Sequence, residues 1–160
     1  MSDQTPMTPK GLARLHTQLQ HLREVERPQN VRDIEDARAH GDLKENAEYH
    51  AAKERQSHIV GTMQALESQI ATAQVIDPKT MSGSRVVFGA TVTLVDLDNE
   101  SAPPVRYQIV GDLESDLSAG LISLNSPLAR GLVGKELGAE VVITTPKGAR
   151  NYLIDKLEFV

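Results

Sequence analysis

Two apolar seams in heptad spacing, one on each side of a short charged segment, constrain this chain more than any other feature. Leu12, Leu15, Leu19 and Leu22 recur at intervals of three, four and three, and Ile59, Met63, Leu66, Ile70 and Ala73 at four, three, four and three. Such spacing places each set on one stripe of an α-helix, a stripe that is stable only against another helix. Thr8-Pro9 reads as a cap followed by a first-turn proline. Val31, Ile34 and Ala37 extend the first stripe, but Pro28 removes an amide donor and disfavours helix at Arg27, which predicts a kink or phase shift there. Gly41 is placed to end the first helix in a left-handed conformation, and the second helix is expected to start at Asp42 or Leu43. Near this reversal the seam thins to Ala47, Ala51 and Ala52, small residues that let two helices approach closely. With roughly 30 residues per arm, an antiparallel coiled-coil hairpin about 45 Å long is expected.

The period changes to two in the second half. Val92 and Leu94 alternate with Thr91 and Thr93, and Val105, Tyr107 and Ile109 with Arg106 and Gln108. A strand at Leu121–Leu124 follows an acidic loop from Gly111 to Gly120. Ser126-Pro127 opens a short helix, and Val141–Thr144 with Tyr152–Phe159 form a hairpin around Pro146-Lys147-Gly148. The expected fold is α+β: a helical hairpin over residues 1–78, a linker over 79–84, and a mostly antiparallel β domain with one short helix over 85–160.

Composition narrows the function. The net charge is −5, with 10 Lys/Arg against 12 Asp/Glu in residues 1–80 and 7 against 10 in residues 81–160, so neither half is a basic reader of duplex phosphates. The chain has no Cys, which excludes disulfides and thiolate metal sites and fits a cytoplasmic setting. It has no run of about 18 apolar residues to span a membrane, and Met1 to Thr8 offers no apolar stretch for a secretory signal.

The chemistry concentrates at the reversal, where Asp42, Glu45 and Glu48 gather with Tyr49 in Gly41-Asp42-Leu43-Lys44-Glu45-Asn46-Ala47-Glu48-Tyr49. Asp42 and Glu45 have the spacing of a capping box, which accounts for two of the acids but not for Glu48 or for an apolar Leu43 far from any core. Carboxylates suit Mg²⁺, an octahedral ion that keeps several waters. Two acids at a helix end would make a poor private site, yet they suffice to complete the shell of an ion held mainly by another molecule.

This tip, together with Ala73-Gln74-Val75-Ile76-Asp77, Val87-Phe88-Gly89-Ala90-Thr91-Val92 and Asn125-Ser126-Pro127, resembles the bacterial Gre transcript cleavage factors over nearly the whole chain. The resemblance implies an elongation factor, not itself an enzyme, with an FKBP-like second domain. Its coiled coil would enter the secondary channel of bacterial RNA polymerase and stimulate the polymerase's own cleavage of backtracked RNA, rescuing arrested complexes. By motif, Asp42 and Glu45 would help hold Mg²⁺ of the polymerase active centre and the attacking water, with Glu48 and Tyr49 in support. The factor would need no cofactor of its own. A basic patch meeting the nascent RNA 3′ end would comprise Arg38 and Lys53 with Arg55 nearby, a narrow patch like that of the GreA type. Asn125, Ser126 and Pro127, with the acidic loop of Asp112, Glu114 and Asp116, would dock on the rim of the polymerase channel. A monomer is expected, with no membrane partner.

Other constellations are weaker. His50, Glu54 and His58 share a helix face, but no fourth zinc ligand is evident. Gly131-Leu132-Val133-Gly134-Lys135 lacks P-loop spacing. A prolyl isomerase would need an aromatic-lined pocket, for which Phe88, Tyr107, Tyr152 and Phe159 are the available residues. An inhibitory relative that blocks the same channel would carry an altered tip, whereas this one keeps the cleavage pattern.

Overall fold

The computed structural model describes residues 4–41 and 46–160. The chain divides into two compact units, one containing Leu12–Ala73 and the other Gln4–Gly11 with Gln74–Val160. The boundary read from the sequence at residue 78, and the linker over 79–84, therefore fall inside the second unit. There Pro78 is buried in a 3₁₀ turn, Pro78–Thr80, capped by Asp77. Ser84 and Arg85 are tied to Glu136 at 2.7 and 3.2 Å.

The first unit is the helical hairpin. Helix α1, Pro9–His21, starts as expected: the Thr8 hydroxyl accepts the Gly11 amide at 3.2 Å, with Pro9 as first residue. The backbone then widens into a π-helical stretch, Leu22–Glu26, and resumes as α2, Arg27–Arg38. The Arg27 amide reaches back five residues to the Leu22 carbonyl. Pro28 cannot donate, and its ring would crowd the carbonyl four residues earlier; the wider turn just before it absorbs one extra residue. The seam shifts accordingly. Leu15, Leu19 and Leu22 are buried, and the next buried position is Asn30, eight residues on instead of seven, followed by Ile34 and Ala37. Val31, expected in the seam, is 45% exposed, and Asn30 is 2% exposed in its place.

Helix α3 spans Ala47–Ala71, a length of about 38 Å. It buries Ile59, Met63 and Leu66 against the first arm, with Ile70 half-buried. Full burial of such side chains contributes about 1.5–3 kcal/mol each, which makes this end of the hairpin its apolar anchor. Toward the reversal only small residues remain: Ala52 is half-buried, while Ala47 and Ala51, expected in the seam, are exposed. No helix among the described residues is long and apolar enough to cross a membrane.

In the second unit, strands β1, Thr5–Met7, and β2, Ala73–Val75, form a two-stranded ribbon. The larger sheet contains β3 (Thr91–Asp96), β4 (Val105–Val110), β5 (Leu121–Ser123), β6 (Glu140–Thr145) and β7 (Gly148–Glu158), in the order β5-β4-β3-β7-β6. All pairings are antiparallel except β4 with β5. The parallel pair is possible because the segment between them folds into two 3₁₀ turns, Asp112–Glu114 and Leu117–Ala119, that carry the chain back. Helix α4, Pro127–Leu132, lays Ala129 and Leu132 on a core of Val86, Val92, Leu94, Ile109, Ile122, Val141, Ile143 and Ile154.

Candidate functional site

Asp42 and Glu45 lie outside the described residues, so the site is read from the residues that flank them. Helix α3 begins at Ala47, not at Asp42 or Leu43, and its cap is Asn46, whose Oδ1 accepts the Tyr49 amide at 3.1 Å. The capping position that Asp42 and Glu45 were expected to serve is thus filled by Asn46. The same side chain donates from Nδ2 to the Ala37 carbonyl at 2.6 Å, joining α3 to α2. On the other side, Gly41 takes φ of 106°, as the left-handed stop requires. A second amide, Asn30 Nδ2, crosses to the Ala52 carbonyl at 2.9 Å. The small residues bring the helices close enough for side chain to reach backbone, so two polar rungs replace apolar bulk beneath the tip. Sequence reading missed both asparagines. Asn46 had a signal, the preference of Asn for N-caps; Asn30 became visible only once the π turn moved the seam.

Glu48 lies in the first turn of α3, largely exposed, with its carboxylate 3.6 Å from His40 Nε2. Tyr49 is half-buried, with the Arg38 guanidinium carbon 5.9 Å from its ring centroid and the His50 ring edge-on at 5.8 Å. Glu48, Tyr49 and Arg38 are therefore neighbours. Lys53 and Arg55 are differently placed: Lys53 donates to Gln56 at 2.8 Å, and Arg55 pairs with Glu26 at 2.8 Å. A shallow cleft of about 570 Å³ beside the tip is lined by Asp33, Asp36, His40 and Glu48 as well as Arg55, so its walls are more acidic than basic. Among the described residues no group of three or more His, Asp or Glu is placed to hold a metal ion, which removes the His50, Glu54 and His58 arrangement.

At the opposite end of the sequence, Ser126 caps α4 by accepting the Ala129 amide at 3.1 Å, and exposed Pro127 is the first helical residue. Asn125 Nδ2 donates to both Asp112 oxygens at 3.1 and 2.9 Å, and the Ser123 hydroxyl donates to the same carboxylate. The Ser123 hydroxyl first, then the Asn125 amide, holds the Asp112 carboxyl below the usual carboxylate range. Glu114 departs from expectation. Grouped with the docking surface from the sequence, it is 5% exposed and accepts the Thr8 amide and the Gly111 amide at 3.0 Å each, together with the Thr8 hydroxyl. An apolar cavity of about 370 Å³ next to the turn is lined by Tyr107, Tyr152, Leu117, Leu128 and Pro146. Of the four aromatics considered for an isomerase pocket, only these two tyrosines face it.

Both parts of the chain, the helical hairpin and the mixed-sheet domain, match families of transcription elongation factors. Residues 5–75 match the family described as "Transcription elongation factor, N-terminal", and residues 81–159 that described as "Transcription elongation factor, GreA/GreB, C-term". The chain is 52% identical to "Transcription elongation factor GreA" of Xylella fastidiosa over 156 residues, covering 97% of this chain and 98% of the relative. It is 53% identical to the protein of the same name from Sphingopyxis alaskensis over 158 residues, covering 99% and 98%. Superposition on the Gfh1 protein of Thermus thermophilus is loose, with a TM-score of 0.43 at 24% identity over 97% of this chain and 99% of that one. The chain belongs to the GreA/GreB family of transcription elongation factors and is of the GreA type.

Proposed function

We propose that this factor inserts its hairpin into the secondary channel of bacterial RNA polymerase and stimulates the polymerase's own cleavage of backtracked RNA, rescuing arrested complexes. The observation that supports this reading is the double role of Asn46, which caps α3 and bonds to α2. With the cap supplied by the Asn46 side chain, closing α3 does not call on Asp42 or Glu45. Carboxylate oxygens suit Mg²⁺ and are too few at this tip to hold it alone, so Asp42 and Glu45 would complete a shell begun by the polymerase. When bound, Mg²⁺ would supply polarisation of the scissile phosphate and an activated water. Asp42 and Glu45 would be the residues of this chain that hold the ion and position the attacking water. Glu48 and Tyr49 support the tip from the first turn of α3, and Arg38, stacked near Tyr49, faces the RNA 3′ end. Lys53 and Arg55 extend this patch, with Arg55 partly neutralised by Glu26. Asn125, Ser126 and Pro127 dock the second domain on the channel rim. The factor acts as a monomer in the cytoplasm.

The test is RNA cleavage in a stalled, backtracked elongation complex with wild-type, Asp42→Asn and Glu45→Gln proteins. Each substitution should lower the stimulated rate on the order of 10- to 100-fold while binding to polymerase persists. Full stimulation by both variants would end the donated-carboxylate reading.

A further inference from the structure

The turn leading into α4 has almost no hydrogen-bond donors to offer. The Leu124 amide donates to the Val110 carbonyl at 2.8 Å, the Asn125 amide to the Ser123 hydroxyl at 3.1 Å, and the Ser126 amide to the Ser123 carbonyl at 2.9 Å. Pro127 has no amide hydrogen. Four successive backbone positions therefore present no N–H to a partner. The side chain of Asn125 continues the pattern. A carboxylate only accepts, so the group facing Asp112 must be the Asn125 NH₂, and both Asp112 oxygens receive it. What the exposed Asn125 side chain then offers outward is its carbonyl oxygen. Among the described residues no Lys or Arg pairs with Asp112, so its negative charge is balanced only by neutral donors.

We propose that Asp112 is a positioning residue that locks Asn125 with its acceptor outward, and that the resulting acceptor-rich, negative turn docks onto a guanidinium or ammonium group of the polymerase. This rests on the reading of Asn125–Pro127 as the docking turn and gives that turn a polarity. A turn with no free backbone N–H beside an uncompensated carboxylate disfavours anionic partners and rewards cationic donors, whose hydrogen bonds to anions are the strong ones. Asp112→Asn replaces the carboxylate by a group that can itself donate, which frees Asn125 to turn its NH₂ outward and removes the charge.

The experiment titrates full-length factor into backtracked elongation complexes and reads two quantities, the concentration giving half-maximal cleavage and the plateau rate. Asp112→Asn should raise the half-maximal concentration about fivefold to tenfold, the scale of one charge-assisted bond, with the wild-type plateau retained. A structural defect would lower the plateau as well and would overturn the assignment. The exchange Asp112→Asn with Asn125→Asp rebuilds the bond with an acceptor still outward and should recover most of the loss. Raising salt should weaken wild-type docking more than that of Asp112→Asn, because a charge contact is screened; equal salt sensitivity would contradict a cationic partner. If Asn125→Ala raises the half-maximal concentration and Asp112→Asn does not, the positioning role fails and the docking turn stands. If neither variant moves it, the docking turn itself is wrong.

Discussion

Asn46 Nδ2 donates to the carbonyl oxygen of Ala37 at 2.6 Å, while Oδ1 of the same side chain accepts the amide of Tyr49. One amide thereby begins α3 and fastens it to the end of α2, two roles that need a donor and an acceptor on one short side chain. Asn46→Asp should keep the cap and lose the cross-hairpin bond, whereas Asn46→Ala should lose both. We expect Asn46→Ala to cost about 1–2 kcal/mol and to raise amide exchange at Tyr49, with Asn46→Asp protecting that amide nearly as well as wild type. Hydrogen exchange resolved by residue separates the two variants.

Asn30 is the only fully buried polar side chain of the hairpin seam among the described residues, and its bond to the Ala52 carbonyl lies two turns below the tip. A polar residue at such a position specifies pairing and costs stability. Asn30→Leu should raise the urea midpoint by an amount equivalent to about 1 kcal/mol, since the Ala52 carbonyl keeps its helical partner. Asn30→Ala, which leaves a void, should lower it. The order Leu above Asn above Ala in equilibrium unfolding checks both statements.

Gly11 has no room for a side chain. A Cβ there would stand 2.3 Å from the Glu114 carboxyl carbon, while that carboxylate is held by Thr8 and Gly111. Gly11→Ala should therefore destabilise by about 1–3 kcal/mol, the usual range for overpacking. Combined with Glu114→Ala, the loss should be less than additive, because the second change removes the atoms that clash. A thermodynamic cycle from four denaturation curves gives the coupling.

Three carboxylates of the second unit sit below their usual range. Asp98 is lowered by the Asn151 amides, Asp112 by the Ser123 hydroxyl and Asn125, and Glu136 by the Ser84 hydroxyl and Arg85. A folded-state value below the unfolded one means stability fully present above the unfolded value and lost as pH falls through the folded value. The loss therefore belongs below about pH 4. All three groups are exposed, so each contribution is small. The combined Asp98→Asn, Asp112→Asn and Glu136→Gln variant should melt slightly below wild type at pH 7 and converge with it under strongly acid conditions, so that its thermal midpoint falls less steeply between about pH 5 and pH 3.

Much of the fold was legible because its signals were local. Heptad spacing gave both helices and their antiparallel pairing, Thr8-Pro9 and Ser126-Pro127 gave two caps, and alternation gave the hairpins of β3 with β4 and β6 with β7, though not the pairing of β3 with β7. What was not legible depended on events that spacing alone does not reveal. Pro28 forecast a phase shift but not its size, and the single inserted residue of the π turn exchanged Val31 for Asn30. The cap of α3 is Asn46, whose side chain also reaches the Ala37 carbonyl, a long-range bond that spacing does not reveal. Glu114 sat in an acidic loop like its neighbours, and only the return of residues 4–11 to the second unit buried it. The tip acids were conspicuous in the sequence for their charge, and their role is a matter for the assembled complex.

Asp42 and Glu45 are proposed to contribute ligands to a metal ion held chiefly by the polymerase. The most direct measurement is the Mg²⁺ concentration for half-maximal RNA cleavage in backtracked complexes, with and without saturating factor. Wild-type factor should lower it about tenfold, and Asp42→Asn and Glu45→Gln should return it to the value of polymerase alone. An identical Mg²⁺ dependence with wild-type factor, with either variant and with no factor would contradict the account.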